Sequence, residues 1–257
     1  MARVTVADDE VELAQHAAER LTQLIEQAAA RHGHALVSLT GGNTPRRLYS
    51  TLADARLPWR DRIPWSQVHL FWGDERHVPP EHPDSNYGMA KAALIDHVPI
   101  PADHVHRIRG EMPDARDAAV DYDRVLDAVL TASAASVFNR KASLDIMLLG
   151  VGGDAHVASI FPGSELVNVH GERRVAAVWA AHLDAWRITL TPDALLDSQT
   201  IVVLVAGAGK AVAIDAALNA PLDVNRYPAQ LLRAAGDRAE WLLDRAAAAR
   251  LTRPTDG

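Results

Sequence analysis

Asp145-Ile146-Met147-Leu148-Leu149-Gly150-Val151-Gly152-Gly153-Asp154-Ala155-His156 is the stretch on which the fold turns. Ile146 to Leu149 is apolar at every position and short, the pattern of a strand buried on both faces of a sheet. Three glycines follow, letting the backbone turn sharply or approach a ligand closely. Asp154 and His156 stand directly after them. In an open α/β sheet, ligands sit beyond the carboxyl ends of the strands. An imidazole placed there suits general-base work near neutral pH. A glycine-rich surface turn carrying a solvated histidine is the competing reading of the same residues.

The same grammar extends in both directions. Arg3 to Ala7 reads as a short edge strand, and Asp9 to about Arg31 as a helix, with Ala14, Ala17, Ala18, Leu21, Leu24, Ile25 and Ala28 at helical spacing and Gly33 ending it. Further strands are expected at Ala35–Leu39, Val68–Trp72, Val105–Ile108, Leu144–Leu149, Val175–Trp179, Arg187–Leu190, Ile201–Ala206 and Glu240–Leu243. Helices are expected from Pro45 to Leu52, Asn86 to Ile95, Asp114 to Ala132, Pro192 to Leu196, and from Lys210 to Leu218, with Pro58 to Pro64 a loop. Strands alternating with helices indicate βα units around a mostly parallel sheet. No repeat or linker divides the chain, which reads as one α/β domain over 1–257.

Composition narrows the function. Apolar residues make up 48% and charged residues 23% of the 257, ordinary for a globular chain. Without cysteine there is no disulfide or thiolate chemistry, which fits a cytoplasmic setting. The acidic N-terminal decapeptide lacks the apolar core of a signal sequence, and no apolar run approaches the ~20 residues of a membrane span. A net charge of −7 argues against nucleic acid as the main partner, yet leaves room for a local basic pocket holding a small anion.

Three turns ask for such an anion. In Gly41-Gly42-Asn43-Thr44-Pro45-Arg46-Arg47, Thr44 fits an N-cap and Pro45 the first helical position, so two arginines fall where the helix dipole is already positive. Gly207-Ala208-Gly209-Lys210 repeats the anomaly after another strand. It is not a Walker A loop, which needs four residues between its glycine and the Gly-Lys pair. In Gly73-Asp74-Glu75-Arg76-His77, Arg76 can grip a phosphate or carboxylate with two N–H groups, or join Asp74 in a structural ion-pair network. Gly150-x-Gly152-x-x-Ala155 matches a dinucleotide fingerprint, but Pro162 follows too soon for the helix that fingerprint should open, so nicotinamide binding is not expected. The 12 histidines include no His-Glu-x-x-His; His77, His82, His97, His104 and His106 fall in loop-like sequence and read as mostly solvated. No Gly-x-Ser-x-Gly elbow is present.

With these turns in hand, the chain resembles the 6-phosphogluconolactonase family. Four ordered blocks carry the likeness: Ser38 to Pro45; Phe71 to Pro79 with Ser85-Asn86-Tyr87; Asp145 to His156 continuing through Ala158 to Ser164; and Arg187 to Thr191 leading to Gly209-Lys210. The resemblance implies a Rossmann-like α/β fold with helices on both faces of the sheet. It implies hydrolysis of 6-phospho-D-glucono-1,5-lactone in the oxidative pentose phosphate pathway, with no metal or organic cofactor. The partner it implies is the small sugar-phosphate lactone; neither nucleic acid nor membrane is expected as a partner, and the chain is expected to be a monomer or small homo-oligomer. His156 would be the base, with Asp154 or Asp74 orienting it, and Gly152 and Gly153 N–H groups or Arg76 facing the oxyanion. Gly41, Gly42, Thr44, Lys210 and Arg76 would hold the phosphate, with Asn86 and Arg187 also lining the substrate site.

Where the family motif reads Asp-Gly-His-Thr-Ala-Ser-Leu, this chain has Ala155, Val157 and Ile160. Ala155 is expected to avoid positive φ and so alter the turn, and Val157 forgoes a local hydroxyl bond. The nearest rival, glucosamine-6-phosphate deaminase, carries Tyr at the position of Arg76 and Asn-Glu-Pro-Gly at Ile160-Phe161-Pro162-Gly163. A non-catalytic sugar-phosphate sensor would carry a DNA-binding segment, and no helix-turn-helix pattern precedes Val37.

Overall fold

In the computed structural model, residues 3–135, 143–171 and 173–251 are described, and strands alternate with helices along them. In chain order they are β1 (Arg3–Ala7), α1 (Glu10–His32), β2 (Ala35–Leu39), α2 (Asn43–Ala53), α3 (Trp59–Arg62), β3 (Val68–Trp72), β4 (Asp74–Arg76), α4 (Asn86–Ala93), α5 (Ala115–Ala135) and β5 (Ile146–Leu149). There follow β6 (Val175–Ala180), β7 (Ala185–Leu190), α6 (Pro192–Leu196), β8 (Thr200–Val205), α7 (Ala211–Leu218) and β9 (Ala239–Asp244).

Local chemistry sets the long first helix. The Asp9 carboxylate accepts the N–H groups of Val11 and Glu12 at 2.8 and 2.9 Å, and Gly33 ends α1 at φ 76°. Such a cap is worth ~1 kcal/mol. Leu13, Ala17, Leu21, Leu24, Ile25 and Ala28 form its buried stripe, as the spacing requires.

Six strands form one sheet in the order β1-β9-β8-β5-β2-β3, with every neighbouring pair parallel. β5 is buried at all four positions, as its apolar run demands. β9 is inserted between β1 and β8, so among the described residues the first strand pairs only with the last. The chain runs from β2 to β3 in one direction and then resumes at β5 on the other side of β2. The strand order therefore reverses between β2 and β5, the point of an open α/β sheet at whose carboxyl ends ligands bind.

A second sheet was not anticipated. β4, β7 and β6 form a three-stranded antiparallel layer, so Val175–Ala180 and Ala185–Leu190 do not extend the main sheet. Asp74–Arg76, expected as turn, is a strand that pairs with Arg187–Thr189. Val105–Ile108, expected as a strand, makes only one bridge, Leu70 with Val105, after a 3-10 turn at Ala102–His104. The loop at 58–64 contains the single turn α3. α2 begins at Asn43 with Gly42 (φ 107°) before it, so Thr44 lies inside the helix and does not cap it.

Of the five histidines expected in solvated loops, His82 and His97 are exposed, whereas His77, His104 and His106 are partly buried. His69 Nδ1 lies 3.0 Å from His106 Nε2, His104 stacks on His69 at 3.8 Å, and His34 makes a short bond to Ser133. His104 Nδ1 is 3.1 Å from the Val68 carbonyl, and His77 Nε2 is 2.7 Å from that of Met112. Burial, then the neighbouring imidazoles, pushes His69 down to about 4. Among the described residues, no three His, Asp or Glu side chains are disposed to hold a metal ion. No helix there is long and apolar enough to cross a membrane.

Candidate active site

The turns after β8, β5, β2 and β3 stand side by side because their strands are neighbours. After β5, the chain folds back on itself through Gly152 N–H to His156 O (2.9 Å) and Ala155 N–H to Gly152 O (3.0 Å). No helix follows, which removes the dinucleotide reading; the next helical residues are the short 3-10 turn Glu165–Asn168. His156 Nδ1 lies 2.6 Å from Asp154 Oδ1, which also accepts the His156 N–H at 3.2 Å. This bond to His156 holds the Asp154 carboxyl at about 2. A carboxylate only accepts, so Nδ1 carries the proton and Nε2 is left as a base.

Gly152 is needed for this arrangement. A Cβ there would lie 2.1 Å from His156 Nδ1 and 2.5 Å from Asp154 Oδ1. Ala155, by contrast, sits at φ 66°. The turn keeps its left-handed step despite the methyl group, contrary to expectation, at a strain of ~1–2 kcal/mol. Val157 is fully buried and bridges Val151 and Ile160, an apolar role where a hydroxyl had been considered. The Gly152 N–H is consumed inside the turn, so it does not face an oxyanion; Gly153 is exposed and adjoins Gly209, whose carbonyl would be 3.5 Å from an added Cβ.

Asp74 does not partner the histidine. Its carboxylate is buried and accepts Ser159 Oγ–H at 2.6 Å, with Asn86 Nδ2 at 3.4 Å. Asn86 also donates to the Asp74 carbonyl at 2.9 Å, and its side chain fills the place a Cβ on Gly41 would take, 1.7 Å from Asn86 Oδ1. The motif blocks after β2, β3 and β5 are thus locked together by Gly41, Asn86, Asp74 and Ser159.

Glu75 was missed by the sequence reading. It is 2% exposed and accepts the N–H groups of Arg76, Asn86 and Tyr87 at 2.7–2.8 Å and the Ser85 hydroxyl at 3.1 Å. Burial pushes its carboxyl up. The available signal was Ser85 before a helix, a site where an acid satisfies free N–H groups.

The cations remain free for an anion. Arg76 and Arg187 stand opposite each other in the β4–β7 register. Their guanidiniums donate to the carbonyls of Asp84 and Trp186, and among the described residues neither forms an ion pair with a carboxylate. Burial first, then the charge of Arg76, lowers the Arg187 pKa. Like charges directly opposite are unfavourable, and the carboxylates of Asp74, Asp84 and Glu75 offset part of that cost at Arg187. Lys210 is half-buried, and burial lowers its pKa against the opposing pull of Asp154. Gly207, at φ 96°, is pinned by its N–H to both Asp244 carboxylate oxygens at 3.0 Å. Gly42 is exposed and Thr44 partly so, at the start of α2. Arg47 turns to Glu10 at 3.6 Å, so one of the two α2 arginines has an ordinary surface partner.

An aspartate–histidine pair, with the half-buried Lys210 within reach of Asp154's charge, stands at the reversal point of a parallel sheet, an arrangement suited to an α/β enzyme with an anionic substrate. A sequence model of the family "Glucosamine-6-phosphate isomerases/6-phosphogluconolactonase" matches residues 8–241. The chain belongs to that family. It is 34% identical to the 6-phosphogluconolactonase of Nostoc sp., covering 97% of this chain and 98% of that protein. It is 35% identical to the 6-phosphogluconolactonase of Haemophilus influenzae, over 91% and 95% of the two chains. The solved 6-phosphogluconolactonase of Trypanosoma brucei superposes with a TM-score of 0.81 at 27% identity, covering 98% of this chain and 99% of that one. A monomeric glucosamine-6-phosphate deaminase shares the fold, with a TM-score of 0.79 at 21% identity over 96% and 99%.

Proposed function

We propose that this chain hydrolyses 6-phospho-D-glucono-1,5-lactone to 6-phosphogluconate, a step of the oxidative pentose phosphate pathway. The observation that carries the reading is the Asp154–His156 pair, 2.6 Å apart through Nδ1, which leaves Nε2 without that partner at the sheet's reversal point. The whole-length likeness to proteins named 6-phosphogluconolactonase supports it.

His156 Nε2 takes a proton from water as its oxygen bonds to the lactone carbonyl carbon, C1. Asp154 stabilises the imidazolium that forms. The tetrahedral oxyanion is met by the exposed Gly153 N–H. Collapse breaks the bond from C1 to the ring oxygen, which takes the proton back from His156. The new carboxylic acid then ionises to solvent. The phosphate rests on Gly41, Gly42 and Thr44, with Lys210, Arg187 and Arg76 supplying charge and Asn86 shaping the wall. Tethering that end holds C1 against the base, replacing a bimolecular encounter by a fixed one. Asp74 acts through Ser159 and Asn86 as scaffold. The enzyme acts in the cytoplasm, as a monomer or small homo-oligomer, without nucleic acid.

The test is hydrolysis of the lactone, generated in place by glucose-6-phosphate dehydrogenase and followed through the 6-phosphogluconate formed. The expected result is acceleration well above spontaneous opening, with no ammonia released from glucosamine 6-phosphate. Spontaneous rates with added enzyme would refute the proposal.

A further inference from the structure

His156 is held on one side by Asp154; on another it meets Phe161, whose ring centroid is 4.9 Å away at a 55° tilt. Phe161 is 8% exposed, and its ring is met 4.7 Å away, nearly edge-on at 72°, by the imidazole of His182. His182 sits on the 3-10 turn Ala181–Leu183 at the tip of the β6–β7 hairpin. It is exposed, and no hydrogen bond or ion pair ties its side chain to the described residues. Its ring contact with Phe161 is its connection to the fold.

The hairpin that carries it is braced. Trp179 and Trp186 face each other across the strands with ring centroids 5.5 Å apart, and the Arg116 guanidinium of α5 lies 5.2 Å over Trp186. Asp184 takes the left-handed conformation at φ 48°, which turns the chain back into β7. β7 then delivers Arg187 opposite Arg76. Phe161 and His182 also line a groove of 1110 Å³ that runs along β6 and α5, whereas His156 does not. The two rings therefore separate the catalytic imidazole from that open groove.

We propose that His182 is a positioning residue for His156, acting through Phe161. This rests on His156 being the base of the lactonase reaction. His182 clamps the Phe161 ring, Phe161 fixes the tilt of the His156 ring about its Asp154 bond, and Nε2 stays aimed at the carbonyl carbon. Aromatic pairs in these edge and tilted geometries are favourable beyond the area they bury. A small rotation of a base away from its target is costly in rate. The role needs an aromatic edge at position 182 and no proton from it.

The experiment compares His182→Ala with His182→Phe. For lactone hydrolysis, His182→Ala is expected to lower kcat about three- to tenfold, the size of one aromatic pair, with KM nearly unchanged. His182→Phe is expected to recover most of that loss. Unchanged kcat in His182→Ala overturns the proposal. So does a rise in KM alone, which would make His182 a substrate contact, and so does failure of His182→Phe to rescue, which would make its imidazole chemistry essential. A second measurement needs no substrate. The Cε1–H resonance of His156, assigned by its absence in His156→Gln, reports the ring current of Phe161. It is expected to move in His182→Ala and return in His182→Phe. An unmoved resonance overturns the positioning role even if the substrate is not the lactone; a moved resonance in a protein inactive on the lactone preserves that role and rejects the assigned reaction.

Discussion

Replacing Gly152 by alanine is expected to disable the enzyme without unfolding it. The backbone of Gly152 does not occupy the left-handed region, so alanine can adopt it. The added methyl carbon would sit 2.1 Å from His156 Nδ1, 2.3 Å from its Cε1 and 2.5 Å from Asp154 Oδ1. The imidazole must swing away by about an ångström to reach van der Waals contact, breaking the 2.6 Å bond. A charge-assisted bond of this kind contributes roughly 1.5–3 kcal/mol, or about 10- to 150-fold in rate if it acts in the transition state. Misplacing a catalytic group by ~1 Å costs on the order of 10²-fold. The two losses overlap, so a kcat reduced by ~10²–10⁴ is expected, with urea stability within ~1 kcal/mol of the parent. The Asp154 carboxyl, freed from its main partner, should rise from about 2 toward the ordinary 3.8 in an NMR titration. A folded Gly152→Ala enzyme with parental turnover would refute the steric argument. A slow enzyme whose Asp154 still titrates at about 2 would refute the proposed cause.

Three further outcomes are expected. His156→Ala should retain the fold by circular dichroism and lose ~10²–10⁴ in kcat, as removal of a general base does. Lys210→Ala should raise KM for the phosphorylated lactone while leaving hydrolysis of unphosphorylated gluconolactone nearly unchanged; equal loss on both substrates would place Lys210 in catalysis or folding. His69 has a folded pKa of about 4 against 6.5 when unperturbed, so between those values the unfolded chain binds more protons and stability increases with pH. Its contribution is complete above about pH 6.5 and is lost as pH falls toward 4. The shift alone corresponds to ~3 kcal/mol, reduced to ~1–2 by the ring's partial exposure. Urea melts at pH 7.5 and pH 5 should show somewhat more than half of this, ~1 kcal/mol, because pH 5 still lies above the folded value of about 4, and His69→Gln should flatten it.

Much of the site was legible because it is built from turns at strand ends. The apolar run Ile146–Leu149 and the glycines after it announced β5 and its turn, Lys210 stood out as a cation where a helix dipole made it costly, and Arg76 as a group able to grip an anion. What the sequence hid is lateral. Gly41 looks like a flexible turn residue until Asn86, 45 positions away, is found occupying its Cβ position. Glu75 sits in a polar run that reads as surface, and only the approach of α4 buries it. The second sheet was missed because β4 has three polar residues and its partner β7 lies more than a hundred positions on. The histidines 34, 69, 104 and 106 look dispersed in sequence, and meet around the start of β3, beside β2. Ala155 misled for the opposite reason: a local preference was overruled by the surrounding packing.

The place of β9 carries a consequence for how the enzyme comes into being. Chains are synthesised from the N-terminus, and β1 pairs only with β9, so Arg3–Ala7 has no sheet partner until residues 239–244 arrive. The same strand supplies Asp244, whose carboxylate pins the Gly207 N–H beside Lys210. Closing the sheet and pinning the Gly207–Lys210 turn are therefore one late event, made of contacts more than two hundred residues apart for β1 and thirty-seven apart for the turn. Contacts that distant slow folding. A chain stalled before residue 239 would hold the Asp154–His156 turn on β5 with neither the first strand docked nor the lysine turn pinned.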